Sequence, residues 1–189
     1  LFAENEHGWF QVHAYQFQEG LSTFIVETTE ETWLKAGIDQ MSQEDGIAYC
    51  EKLFAPWLDG EKLIANAAHL RGAAIWIRFP RVICDNWVHW TQPTSRKEVP
   101  VVLMGDAAHT AHFSIGSGTK LALEDAIELC ESLKATQGDL RKGLEHYQKV
   151  RSVEVLKIQN AARNSTEWFE NVQRYENLDP EQFAYSLLT

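Results

Sequence analysis

Between Val99 and Met104 the sequence VPVVLM runs without a polar side chain, and it stops at Gly105-Asp106. A run so short and so apolar reads as a strand covered on both faces. The sequence that follows is just as restrictive. Gly116-Ser117-Gly118 opens a segment with Leu123, Ile127, Cys130 and Leu133 at helical spacing, which predicts a helix from about Ser117 to Lys134 that turns those four residues toward a core. Buried strand, acidic residue, Gly-rich loop and helix together resemble the way open α/β sheets collect ligands at their strand ends. Glycines let backbone amides approach a polar ligand closely, and a helix amino terminus favours negative charge. In such a loop Asp106 would offer its carboxylate to a sugar-like hydroxyl. Read alone, Gly116-Ser117-Gly118 is equally a plain strand-to-helix turn.

Elsewhere the chain alternates between the two periodicities. WFQVHAYQF, Trp9 to Phe17, puts Phe10, Val12 and Ala14 on one side of a strand, and Glu19-Gly20 supplies a turn before LSTFIVET, predicting an antiparallel hairpin. TEETWLKAG, from Thr29, reads as a short helix with an acidic start. A second helix is expected over Gln43 to Trp57, with Pro56 straining its last turn. Ile75, Ile77 and Phe79 alternate with Trp76 and Arg78, which predicts a strand ended by Pro80. A long helix begins near Asp139, with Leu140, Leu144 and Tyr147 on one face, and continues through Val153, Leu156 and Ala161 toward Trp168. Asp179-Pro180-Glu181-Gln182 has the residues of a helix start: Asp as cap, Pro in the first turn, Gln to close a capping box.

With 189 residues, 44% of them hydrophobic, the chain can build a core. Its formal net charge of -10 repels phosphate backbones and anionic membranes, so neither nucleic acid nor a membrane is expected as a partner. Cys50, Cys84 and Cys130 are odd in number and lack CxxC spacing, which argues against a disulfide framework or a zinc site and suits a reducing cytoplasm. The absence of Met at Leu1, followed at once by strand-like sequence, suggests that an amino-terminal part is missing.

The order GDAAH, then GxG seven residues on, then EDA resembles the second flavin motif of the p-hydroxybenzoate hydroxylase superfamily of FAD monooxygenases. That resemblance implies a ribityl contact for Asp106 in the Gly105-Asp106 pair. It also implies an isoalloxazine-facing loop of Gly116, Ser117, Gly118, Thr119 and Lys120, and substrate-facing positions at His112, Phe113 and Ser114. HFSIGSGT and the tail from Arg163 to Thr189 are similar to the monooxygenase part of bacterial salicyloyl-CoA and anthraniloyl-CoA hydroxylases, with the tryptophan-derivative hydroxylases of violacein synthesis as cousins. Phe113 stands where relatives usually carry Pro, and Lys120 where they often carry Asn, so a phenolate mechanism is not carried over.

The resemblance further implies a mixed α/β (α+β) fold: a substrate-domain sheet in 1–98, the last FAD-domain strand and helix in 99–135, and carboxyl-terminal helices in 136–189. In the intact enzyme FAD, reduced by NAD(P)H, would activate oxygen for hydroxylation of a small aromatic substrate, either CoA-linked or tryptophan-like. The amino-terminal segment that grips the ADP half of FAD is not in this sequence, so the chain alone is expected to be inactive, and no side chain is assigned to the oxygen chemistry. A folded remnant or interaction domain without flavin is the rival reading.

Other constellations carry less. His109 and His112 lack a third ligand nearby, so no metal is expected, and a loop histidine lining a pocket fits them better. Ser114 and Ser117 lack a hydrolase elbow. Trp76, Trp87 and Trp90 could stack on an aromatic substrate or simply pack. Arg71, Arg78, Arg81, Arg96 and Lys97 could hold CoA phosphates or be surface charges.

Overall fold

The computed structural model describes residues 1–65, 76–91 and 98–188. The fold is mixed, with two small antiparallel sheets and several helices, and it divides into two compact units: Leu1–Arg78 with Trp168–Thr189, and Phe79–Glu167.

In the first unit β1 (Phe2–Asn5), β2 (Gly8–Gln18) and β3 (Leu21–Thr28) lie side by side in that order. The expected hairpin is present, turning at Glu19-Gly20 with Val12 opposite Val26. β1 falls in the strand-like opening of the sequence; FAEN alone is too short to show a period of two, and pairing Ala3 with Phe10 recruits it. Phe10 and Val12 are buried, but Ala14 is exposed where the hairpin runs out into solvent. α1 (Glu30–Lys35) starts on Thr29, whose Oγ1 accepts the Thr32 N–H at 3.2 Å.

α2 (Gln43–Leu53) is shorter than expected. Pro56 does not strain its end; it lies in the first turn of a separate short helix, α3 (Ala55–Leu58), where a missing N–H leaves no bond unmade. Phe54 sits between the two and is completely buried, with Phe24 edge-on at 5.5 Å. Burying a ring of that size contributes about 1.5–3 kcal/mol. The carboxyl-terminal helix Pro180–Ser186 begins as its sequence indicates, Asp179 accepting the Gln182 N–H at 2.9 Å. Trp76 packs against this unit's core, and Arg78 pairs with Glu30.

The second unit holds β4 (Val88–Trp90) and β5 (Pro100–Val102), which pair antiparallel with Val88 opposite Val102. Two expectations fail here. Residues 76–87 form no strand, Ile77 and Phe79 are exposed, and Ile75 lies outside the described residues. The run from Val99 to Met104 is not covered on both faces: Val102 and Leu103 pack on the core, whereas Val99, Val101 and Met104 are exposed. A ladder of two strands over one core covers a single face, so alternate residues point away from it.

α4 (Gly118–Ala135) and α5 (Leu140–Glu170) follow. α4 has the predicted extent but a different phase. Leu121, Asp125 and Ser132 are buried, while of the four residues expected inward Leu123, Ile127 and Cys130 are exposed and Leu133 alone is half-buried. The inward face is set by the polar partners of Asp125 described below, which outweigh the apolar stripe. α5 turns Leu144, Tyr147, Arg151, Val155, Gln159 and Ala162 inward at helical spacing. Leu140, expected on that face, is exposed, as are Val153 and Leu156 farther along the helix.

Candidate functional site

The second unit brings the Gly105-Asp106 turn against the start of α4. Gly105 has φ +56°, and a Cβ there would lie 3.2 Å from the Ala122 Cβ, so the left-handed backbone and the close approach both call for glycine. The turn Gly105–Ala107 is closed by its first carbonyl: the N–H groups of Ala108 and His109 both donate to Gly105 O, at 2.9 and 3.0 Å. Asp106 is thus not needed as a cap. Its side chain is exposed, and among the described residues no hydrogen bond or ion pair engages its carboxylate.

Beneath this turn is a buried network that spacing alone does not reveal. Asp125 is 0% exposed; its Oδ2 accepts from Gly105 N at 2.8 Å and from His109 Nε2 at 2.7 Å, and its Oδ1 accepts from Arg151 Nε at 2.8 Å. A carboxylate only accepts, so His109 must donate through Nε2. Arg151 also reaches Leu121 O and, at 3.2 Å, Glu124 Oε2. The pair's desolvation cost is offset by this complete set of partners, and removing one partner from such a pair typically costs about 3–5 kcal/mol.

His109 is therefore not a pocket histidine. It is 3% exposed, lies 5.0 Å from the Trp87 ring and is bonded through Nε2 to Asp125. Trp87 itself is core, its Nε1 donating to Cys84 O at 3.0 Å. Tyr147 closes the same core with its hydroxyl on Leu103 O at 3.0 Å, and burial, followed by the Asp125 charge, pushes its pKa far upward. Trp90 lies under the Arg141 guanidinium, at 4.3 Å.

The glycine loop leaves its backbone open. Gly116 has φ +61°, and a Cβ added there would meet nothing within 4 Å; Gly118 is equally unobstructed. Ser117 spends its hydroxyl on Ile115 O at 3.2 Å rather than on α4, so the first amides of that helix, at Gly118, Thr119 and Lys120, have no side-chain cap from it. Thr119 and Lys120 are exposed. The Lys120 ammonium pairs along its own helix with Glu124, whose pKa it holds down, first by hydrogen bonding.

Of the expected substrate-facing residues, His112 lines a cavity of about 220 Å³ together with Phe79, Arg81, Gln159 and Arg163. Phe113 stacks on His112 at 4.4 Å, and the Ser114 hydroxyl lies 3.0 Å from His112 Nδ1. A wider depression in the first unit, at Gly37, Met41 and Tyr49, is lined by none of the expected site residues. Arg71, Arg96 and Lys97 lie outside the described residues. Among the described residues no group of three or more His, Cys, Asp or Glu is placed to hold a metal ion, and no helix is long and apolar enough to cross a membrane.

Donor chemistry and geometry fit a flavin in part: a free carboxylate, a run of uncapped amides, and loop glycines with room above them. Comparison with known proteins points the same way. No family model matches the chain. It is 39% identical over 98% of its length to salicyloyl-CoA 5-hydroxylase of a Streptomyces species, spanning 35% of that protein. It is 31% identical over 94% to protodeoxyviolaceinate monooxygenase of Chromobacterium violaceum, spanning 43%. With 3-hydroxy-4-methyl-anthranilyl-(aryl-carrier protein) 5-monooxygenase of Streptosporangium sibiricum it shares 36% over 89%, spanning 40%. The chain thus covers less than half the length of these relatives. At that breadth it is homologous to FAD-dependent monooxygenases of the p-hydroxybenzoate hydroxylase type, as a group rather than to one enzyme.

Proposed function

We propose that the chain is the flavin-facing and substrate-facing part of an FAD-dependent monooxygenase that hydroxylates an aromatic ring with O2 and NAD(P)H. The observation that carries this reading is the Asp106 turn. Its backbone is closed without the Asp106 carboxylate, which leaves that group free beside a helix whose first amides are uncapped. Asp106 would bind a ribityl hydroxyl, and the amides from Gly116 to Lys120 would meet the polar edge of the isoalloxazine. The bound cofactor supplies the oxygen activation. The protein's part is to hold the ring, orient it and exclude water.

His112, Phe113 and Ser114 face the substrate in this reading, with Phe113 and His112 as an aromatic wall. The names of two relatives, a salicyloyl-CoA hydroxylase and an anthranilyl-carrier-protein monooxygenase, favour a carrier-linked aromatic ring as the acceptor, with a tryptophan-like ring as the alternative. The segments 1–98, 99–135 and 136–189 then serve as substrate sheet, flavin-facing strand and helix, and helical cover.

The test uses the full-length protein. Purified material should show the visible absorption of bound flavin, consume NAD(P)H and O2, and add one oxygen atom to salicyloyl-CoA or to an indole substrate, read by mass spectrometry. A full-length protein that carries no flavin, or that is flavin-loaded yet hydroxylates neither class, would refute the proposal.

A further inference from the structure

Among the described residues Asp125 is the most buried charge in the second unit, yet it touches no surface where a ligand could reach it. Two of its three bonds go to groups on either side of Asp106. Gly105 N precedes that residue by one position and His109 follows it by three, and both are held by the same carboxylate oxygen, at 2.8 and 2.7 Å. The other oxygen is fixed by Arg151 from α5, at 2.8 Å. Arg151 then extends to Glu124, and Glu124 to Lys120 at the start of α4. One continuous chain of charge-assisted bonds therefore runs from the Asp106 turn to the first turn of α4.

We propose that Asp125, held by Arg151, is a positioning residue that sets the Asp106 turn in register with the amino terminus of α4, so that one ligand can meet both. An apolar residue at position 125 would fill the same volume in this core of Trp87, Leu121, Tyr147 and Val155. Buried ions are no more stabilising than well-packed apolar groups of equal size, so burial alone does not account for a carboxylate here. What a carboxylate does that a leucine cannot is to accept from Gly105 N, His109 Nε2 and Arg151 Nε together. Asp125 acts through the turn and does not itself meet the cofactor. The ligand assignment rests on the flavin reading; the control of the turn does not.

The test pairs two measurements on the full-length protein. In the first, Asp125→Asn keeps the size of the side chain but offers Arg151 and His109 a weaker, partly donating partner. Hydrogen exchange should quicken in the peptide covering 104–110, while peptides from the middle of α4 and α5 keep their protection. In the second, FAD dissociation constants are measured for Asp106→Ala, Asp125→Asn and the double variant. Asp125→Asn should weaken binding about tenfold, the loss of one charge-assisted bond, and the double variant should bind no more weakly than Asp106→Ala alone. Arg151→Lys, which keeps a cation beside Asp125, should give a smaller increase in exchange at the same peptide.

Unchanged exchange at 104–110 in folded Asp125→Asn would overturn the proposal, as would exchange rising equally across α4 and α5. Fully additive losses of FAD affinity would overturn it too, because Asp125 would then act independently of Asp106. If Asp125→Asn does not fold, Arg151→Lys decides by the same exchange pattern. Should Asp106→Ala bind FAD normally, the flavin reading fails, and the exchange data still decide whether Asp125 holds the turn.

Discussion

Replacing Gly105 by alanine tests whether the turn is as tightly specified as its geometry implies. Two costs add. Holding an L-residue at φ +56° costs about 1–2 kcal/mol. The new Cβ, 3.2 Å from Ala122 Cβ, forces α4 or the turn to give way, and overpacking of that kind costs typically about 1–3 kcal/mol. Gly116→Ala is the matched control: its φ of +61° carries the same backbone cost, but its Cβ would meet nothing within 4 Å. Alanine also restricts the unfolded chain, recovering about 0.4–1 kcal/mol in both variants, and this cancels in the comparison. Gly105→Ala should therefore be less stable than Gly116→Ala by about 1–3 kcal/mol, or at least roughly 2 °C in melting temperature. Thermal unfolding followed by circular dichroism at 222 nm gives the difference directly. Equal melting temperatures for the two variants would show that the contact with Ala122 does not constrain the turn.

Two further outcomes are expected. The Glu27 carboxyl has its pKa raised, first by burial and then by the Glu170 charge, against the lowering hydrogen bond from Gln11. A raised folded-state pKa favours the folded protein at pH values below the unfolded value and loses that advantage as pH rises through the folded value. Glu27→Gln should therefore raise the melting temperature at pH 8, with the gain shrinking toward pH 4; a gain that grows on acidification would contradict the sign. Among the cysteines, Cys130 is exposed, whereas Cys50 is buried and burial pushes its thiol up to about 11. Titration with a thiol reagent in native buffer should label Cys130 first and Cys50 only on unfolding, and early labelling of Cys50 by peptide mapping would show that the first core is not closed.

How much of this was legible from the sequence depends on whether the signal was local. The Asp179 cap, the Thr29 start and the Glu19-Gly20 turn are written in neighbouring residues, and all three appear where expected. The phase of α4 was not legible. Leu123, Ile127 and Cys130 make the more apolar stripe, but Asp125 has partners sixteen to twenty-six positions away in His109, Gly105 and Arg151, and no period in the sequence announces them. A signal existed in retrospect: Asp125 and Arg151 are charges set among core positions, Asp125 beside Leu121 and Leu129, Arg151 between Tyr147 and Val155. The same competition explains His109, which spacing placed at a pocket and the network placed in the core. β5 was misjudged for a different reason, since an apolar run does not say how many neighbouring strands cover it.

The central claim is that Asp106 presents its carboxylate to a flavin, and it is tested most directly by the FAD dissociation constant of the full-length protein with and without Asp106→Ala, taken with the melting temperature of each apo-protein. A charge-assisted hydrogen bond to a ribityl hydroxyl is worth about 1.5–3 kcal/mol, so the variant should bind FAD roughly ten- to a hundredfold more weakly. Because the turn is closed by Gly105 O and not by Asp106, the apo melting temperature should stay the same. An unchanged dissociation constant would contradict the flavin role, and a collapsed apo melting temperature would show that Asp106 holds the turn instead.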